Sequence, residues 1–298
     1  QGQLGRAFQE LLGSKSGVFA SRHEANLSDP DATIRYLDSI QPSLILNAAA
    51  YTAVDRAEHE PELARLVNAE TPGRIAQWCS KKDVPLVHFS TDYVFSGKGS
   101  SPWKETSPIS PLNVYGRTKA EGEKNIVEAG GRHLIFRTSW VYDTQGKNFL
   151  RTILKLAQER EILRIVDDQF GVPTLASDLA RGAWEVLHKT LAAESFTSGF
   201  YHLCNQGETT WYEFAKAIIE EATHQRIYFK LKKIVPISSA EFPTPAIRPH
   251  NSRLDTSKAY NNLNVRLPDW RASLNCSIAK GLPRDLLRES PSASKELQ

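Results

Sequence analysis

The sequence predicts an α/β protein built on a doubly wound parallel sheet, with a smaller C-terminal α/β domain. Three observations carry that prediction. Short apolar runs, Ser43–Tyr51, Val84–Phe89 and His133–Tyr142, alternate with amphipathic helical patterns, as strands buried on both faces of a parallel sheet do. A glycine-flanked turn opens the chain, Gln1-Gly2-Gln3-Leu4-Gly5, and runs into an apolar-periodic segment, Arg6–Leu12, that stops at Gly13. After Asn148 the alternation loosens, and Pro236, Pro243, Pro245, Pro249 and Pro268 mark a loop-rich second half. The expected division is 1–148 and 149–298, with segments near 176–205 returning to the first domain.

Composition narrows the class. A chain of 298 residues that is 40% hydrophobic has ample core for one large or two moderate domains. A net charge of +3, with no polybasic block, gives no footprint for nucleic acid or a membrane surface. Cys79, Cys204 and Cys276 are far apart and lack metal-ligand spacing, so they read as reduced thiols in a cytoplasmic protein without a bound metal. No apolar run approaches the roughly 18 residues of a membrane span, and no signal peptide is visible. The sequence contains no methionine and opens inside its glycine turn, so a first strand and one further glycine are expected to precede Gln1.

Taken in order, the elements suggest a Rossmann-type nucleotide fold. Glycines before a helix let backbone N–H groups approach a phosphate at the positive end of the helix dipole, and Gly2 and Gly5 would complete a dinucleotide loop with one earlier glycine. Val18–Ala20 is a short expected strand leading to Ser21 and Arg22, about where such folds read the adenosine ribose. An acid there would hold a 2′-hydroxyl. A serine and an arginine suit a 2′-phosphate, which points to NADPH and leaves NADH open. Asp29 or Asp31 caps a helix over Ala32–Ile40, stopped by Pro42. The strand from Ser43 runs into Ala48, Ala49 and Ala50, whose small side chains let a flat cofactor lie against the backbone or, equally, let a helix pack closely. One long helix is expected over 61–80, with Asn68 as a buried structural polar group.

The strand Val84–Phe89 delivers Ser90-Thr91-Asp92-Tyr93-Val94-Phe95, hydroxyls at a strand end, and a Gly/Ser/Pro-rich loop, Ser96–Pro111, leads to Asn113–Lys124. There Tyr115 and Lys119 stand four residues apart, on one face of a helix. An ordinary phenol titrates near about 10, and a cation beside it would pull that value toward neutrality. One lysine falls short of the roughly 4 kcal/mol required, so a second positive group, such as an oxidised nicotinamide, would have to help. The plain alternative is that Tyr115 covers apolar surface while Lys119 pairs with Glu123 as an exposed salt bridge. Beyond Tyr142 the pattern gives a helix at Phe149–Glu159, a strand at Leu163–Val166, a helix at Ser177–His188 and a strand at Gly199–Leu203. A further helix is capped by Thr209 or Thr210, and a tail follows from Pro291 to Gln298.

Taken together, Ser90–Phe95, Tyr115-x-x-x-Lys119, Arg137-Thr138-Ser139-Trp140-Val141-Tyr142, Asp168–Thr174 and Thr244–Leu254 resemble the extended short-chain dehydrogenase/reductases, and within them the dTDP-4-dehydrorhamnose reductase family. The resemblance spans essentially the whole chain. It implies NAD(P)H-dependent reduction of the C4 keto group of a dTDP-linked 4-keto-6-deoxy sugar, in nucleotide-sugar and lipopolysaccharide or O-antigen biosynthesis, and leaves a homodimer open. By the same resemblance Tyr115 would protonate the developing alkoxide, Lys119 would hold the cofactor ribose, and Thr91 would hydrogen-bond the keto oxygen. Asp92, Tyr93 and Trp140 would contact the sugar. Gly2, Gln3, Leu4 and Gly5 match the pyrophosphate loop, and Asn26, Leu27, Ala50, Tyr51 and Thr52 match segments around the adenine and nicotinamide halves. Ser21 departs from the aspartate of many relatives. Two rival expectations are an NADP-binding regulatory subunit of the methionine adenosyltransferase beta type and a nucleotide-sugar epimerase or dehydratase.

Overall fold

A computed structural model describes residues 2–13, 17–283 and 286. The expected tail, Pro291–Gln298, lies outside the described residues. The central sheet has four parallel strands, β1 (Ile45–Asn47), β2 (Leu86–Thr91), β3 (His133–Thr138) and, much later in the chain, β8 (Gly199–His202), in the order β1-β2-β3-β8. Helices α1 (Gln3–Leu12) and α2 (Pro30–Ile40) precede β1; α3 (Val54–Ala57), α4 (Pro61–Arg65) and α5 (Thr71–Lys82) lie between β1 and β2, and α6 (Val114–Glu128) between β2 and β3. After β3 come β4 (Val141–Tyr142), α7 (Phe149–Glu159), β5 (Ile162–Val166), β6 (Phe170–Gly171), β7 (Thr174–Leu175) and α8 (Ala176–Ala192). After β8 come β9 (Thr209–Thr210), α9 (Trp211–His224), β10 (Lys233–Ile237), α10 (Ser257–Leu263) and α11 (Trp270–Ala279). Three two-stranded ladders, β4 with β7, β5 with β10, and β6 with β9, lie outside the main sheet.

Period-2 alternation assigns the two faces of the sheet. Val87, Phe89, Leu134 and Phe136 pack with Leu4 and Phe8 of α1 and with Leu179 and Ala183 of α8. Leu86 and Ile135 pack on the other face, with Leu37 of α2, Ile75 and Trp78 of α5 and Ile126 of α6. His88 shares the parity of Leu86 and so faces the α5–α6 side. A separate core joins Tyr142, Leu150, Ile153, Phe214 and Trp270 from the second half.

Two elements differ from expectation. Val18–Ala20 forms no strand: Val18 is exposed, and Phe19 packs on the α1 core. The expected single helix over 61–80 is interrupted by a π-helical turn, Leu66–Glu70, between α4 and α5. Pro72 has no N–H to give the Asn68 carbonyl, so the α-helical ladder fails there on chemical grounds. The second cause is packing. A Cβ on Gly122 of α6 would lie 2.1 Å from the Asn68 carbonyl oxygen, and one on Gly116 would lie 2.2 Å from that of Tyr93. These two glycines, each costing roughly 1 kcal/mol in a helix, let α6 press directly on the π-turn and on the end of β2.

Candidate active site

The C-terminal edge of β2 and the first turns of α6 meet at one point. Asn113 caps α6 by accepting from the Gly116 N–H at 2.8 Å, and its own amide donates to the Ile247 carbonyl at 2.8 Å. This fixes Tyr115 one residue into the helix. Its hydroxyl lies beside the Thr91 side chain, and its ring meets Tyr93 edge-on at 5.4 Å. Thr91 ends β2, accepts from the Tyr93 N–H at 3.2 Å and donates to Asp92 Oδ1 at 3.0 Å. The structure therefore brings Thr91, Asp92, Tyr93 and Tyr115 together as a hydroxyl–carboxyl chain.

Burial sets the electrostatics of both Tyr115 and Lys119. Burial raises the Tyr115 phenol above its usual range; the hydrogen bond with Thr91 lowers it, while the charges of Asp92 and Tyr93 raise it. The Lys119 ammonium turns into the sheet, where it donates to the Phe89 carbonyl at 2.6 Å and meets His88 Nε2 at 3.0 Å. Burial also lowers Lys119 to about 8, against the opposing charge of Glu123. Glu123 is not an exposed partner of Lys119: it is buried in a bidentate pair with Arg137 of β3, at 2.8 and 2.7 Å.

Asp92 is 2% exposed, and burial raises its carboxyl to about 7, with hydrogen bonds from Ser252 and Thr91 pulling the other way. A folded value above the unfolded one near 3.8 means the folded state holds an extra proton. The associated stability is complete below the unfolded value and is lost as pH rises through about 7. Asp92→Asn should therefore gain on the wild type as pH rises from 5 to 8, by at most about 1.4 kcal/mol per pH unit. Denaturant melts at both pH values measure it, and a gap that stays constant would show that Asp92 is not the titrating group.

On the expected cofactor side, Gly2 is the N-cap of α1 and no side chain caps the helix. A Cβ on Gly2 or Gly5 would meet nothing within 4 Å, which leaves room for a phosphate at the first-turn N–H groups. Leu4 is core, whereas the Gln3 side chain contacts Val141 and Asn148, just past the end of β3, so this helix start lies at the same edge as Tyr115. Ala48, Ala49 and Ala50 follow β1 as half-buried or exposed small residues. Asn47 accepts from the Ala49 N–H at 3.3 Å, and Asn68 in the π-turn clamps Tyr51 by accepting from its N–H at 2.8 Å and donating to its carbonyl at 3.1 Å. The Tyr51 hydroxyl donates to Glu60 at 2.6 Å, and exposed Thr52 follows it. Small side chains, free helix N–H donors and a fixed loop are a donor set that fits a dinucleotide.

Ser21 and Arg22 are further from a settled role. The Ser21 N–H is held by Glu24 at 2.8 Å, a bond that keeps the Glu24 carboxyl below its usual range and puts an acid three residues from the expected 2′-phosphate position. Arg22 is exposed. Asn26 closes a turn on Ser28, and the Leu27 carbonyl accepts from Thr71 at 2.7 Å. On the expected sugar side, Trp140 holds a left-handed φ of 46° just past β3, stacks on Trp211 at 3.7 Å and lies over Gly171, where any Cβ would clash with its ring.

Several residues escaped sequence reasoning. Arg248 bridges Asp55 at 2.6 Å and the Tyr93 hydroxyl at 3.2 Å, tying the 244–254 stretch over the site. Its only signal was membership of that motif. Trp211, Asn47 and His88 carried none, since a polar residue within an apolar strand run shows no spacing pattern.

A family profile described as RmlD substrate binding domain matches residues 1–282. The chain is 44% identical over 278 residues to dTDP-4-dehydrorhamnose reductase of Escherichia coli K12, covering 92% of this chain and 93% of that one. It is 35% identical to the spore coat polysaccharide biosynthesis protein SpsK of Bacillus subtilis, over 90% and 87% of the two chains. Among solved structures it is similar to dTDP-4-dehydrorhamnose reductase of Bacillus anthracis in complex with NADP, with a TM-score of 0.86, 32% identity, and coverage of 94% and 96%.

Proposed function

The chain belongs to the family described as RmlD substrate binding domain, and from that premise we propose that it reduces the C4 keto group of dTDP-6-deoxy-L-lyxo-4-hexulose to dTDP-L-rhamnose, with NADPH as reductant. The observation that carries this reading is the Tyr115 phenol beside Thr91, which Asp92 and the Tyr93 N–H orient, at the sheet edge where α1 also begins.

The cofactor, when bound, supplies the hydride that adds to C4. Tyr115 gives its phenolic proton to the oxygen, completing the secondary hydroxyl. A phenol raised by burial stays protonated at neutral pH, which is the form a donor needs. Thr91, oriented by Asp92 and by the Tyr93 N–H, is the second hydroxyl within reach of that oxygen. A preorganised donor of this kind contributes roughly 2.7–4 kcal/mol to transition-state stabilisation. Three positions are open around Lys119 Nζ; Phe89 and His88 take up two of them, and the remaining N–H serves the ribose. Trp140, braced by Trp211 and Gly171, is placed to contact the sugar.

No helix among the described residues is long and apolar enough to cross a membrane. Cytoplasmic location, a homodimeric state and use of the product in cell-surface polysaccharide belong to the same proposal. The test is an assay with the dTDP-linked 4-keto sugar in which NADPH and NADH are supplied side by side. Stoichiometric NADPH oxidation is expected. Tight NADPH binding without turnover would favour a regulatory subunit, and purification with bound NAD, needing none added, would favour an epimerase.

A further inference from the structure

His88 sits at the centre of β2, 0% exposed, opposite Asn47 in the β1 register and Ile135 in the β3 register. Interior positions of a parallel sheet are normally apolar. This one carries an imidazole whose two ring nitrogens are both partnered: Nδ1 meets Asn47 Nδ2 at 3.1 Å, and Nε2 meets Lys119 Nζ at 3.0 Å. Lys119 is itself 1% exposed and also donates to the Phe89 carbonyl. Asn47 in turn accepts from the Ala49 N–H at the start of the Ala48–Thr52 loop. A buried chain therefore runs from Lys119 through His88 and Asn47 to the stretch that the family resemblance puts beside the nicotinamide half of the cofactor.

A neutral imidazole has one donor and one acceptor, so its two ends cannot act independently. Burial and the neighbouring Lys119 keep His88 neutral, well below its usual value. With Lys119 as an ammonium, Nε2 must accept; the ring proton then sits on Nδ1 and requires the Asn47 carbonyl to face it. With Lys119 as an amine, Nε2–H donates into the nitrogen lone pair and Nδ1 accepts from the Asn47 amide. In that second arrangement Asn47 Oδ1 is free to hold Ala49, as it does here. The charged groups around the chain are few. Glu123, one turn along α6, acts on Lys119 and is itself held by Arg137 of β3. From β1 only the neutral Asn47 faces the ring.

We propose that His88 is a positioning residue that aims Lys119 and couples it, through Asn47, to the cofactor loop. The proposal rests on the assignment of a dinucleotide site to this edge. Its consequence is that cofactor binding and the protonation of Lys119 are linked through a group that touches neither substrate nor cofactor.

NADPH affinity read by fluorescence titration between pH 7 and 9, without any sugar, tests it. His88→Leu should weaken binding about tenfold, the scale of one lost charge-assisted hydrogen bond, and should move the pH dependence of Kd away from that of the wild type. His88→Gln, which keeps a polar atom for Lys119, should recover most of the affinity. A Leu variant with wild-type affinity and an unchanged pH profile would overturn the proposal, whatever its melting temperature, and so would a Gln variant as weak as Leu. If the wild type reduced no dTDP keto sugar, the reductase reading would fail while this titration still decided the role of His88.

Discussion

Replacing Tyr115 with phenylalanine should lower kcat for keto-sugar reduction by about 10²–10⁴-fold, the range that a positioned proton donor contributes. The ring and its edge contact with Tyr93 survive the change, so packing is preserved. The phenol is raised by burial, so its value to the reaction lies in holding a proton where the alkoxide forms. NADPH affinity should stay within about twofold by the same reasoning, because the lost group acts on the transition state. Steady-state NADPH oxidation and fluorescence titration on the same variant separate the two quantities. A fall in kcat of less than about tenfold would move the donor role to another group, with Asp92, near neutrality and hydrogen-bonded to Thr91, the next to test.

The largest expected loss of stability comes from Arg137→Met. Arg137 and Glu123 are 3% and 4% exposed at their side chains and joined by two short bonds. The guanidinium also lies over the rings of Phe95 and Phe200, at 5.1 and 4.4 Å. Methionine fills similar space but leaves the Glu123 carboxylate buried and alone, a change that typically costs about 3–5 kcal/mol. For a chain of 298 residues that corresponds to a drop in Tm of roughly 5–8 °C. The double variant Arg137→Met with Glu123→Leu should recover most of the loss, since a buried pair replaced by apolar residues is often neutral. Equal melting of the single and double variants would show that the stacking on Phe95 and Phe200, not the ion pair, carries the stability.

Much of the scaffold was legible because its strands are unambiguous. Val84–Phe89 and His133–Thr138 are apolar runs bounded by breakers, and α6 carries a visible cap in Asn113. Val18–Ala20 looked similar, but strand formation is decided by a neighbouring strand and not by an apolar run alone, and this one takes no strand conformation. The π-turn was hidden for a different reason. Periodicity across 61–80 reads as a helix whether or not one turn is widened, and the widening depends on how closely Gly122 lets α6 approach. Asn68 was read as a buried structural group; which backbone it would clamp could not be read from its position alone. In the site, a spacing of four put Tyr115 and Lys119 on one face, and the motif after β2 put Thr91 and Asp92 nearby. Where the lysine points is a contest between acceptors on different strands, and His88 and Phe89 win it at a distance of some thirty residues in sequence.

The late return of β8 to the sheet has a bearing on how the molecule is made. β3 ends at Thr138, yet the strand that pairs with its outer edge begins only at Gly199, about 60 residues on. At ribosomal speeds of roughly 5–20 residues per second, that edge waits several seconds for its partner. Throughout the wait, a nascent chain presents Leu134, Ile135 and Phe136 beside a row of unsatisfied amides, the combination that recruits other strands. Synthesis slowed between Ser139 and Gly199 should therefore lower the soluble yield of this protein, and the aggregates should form through β3.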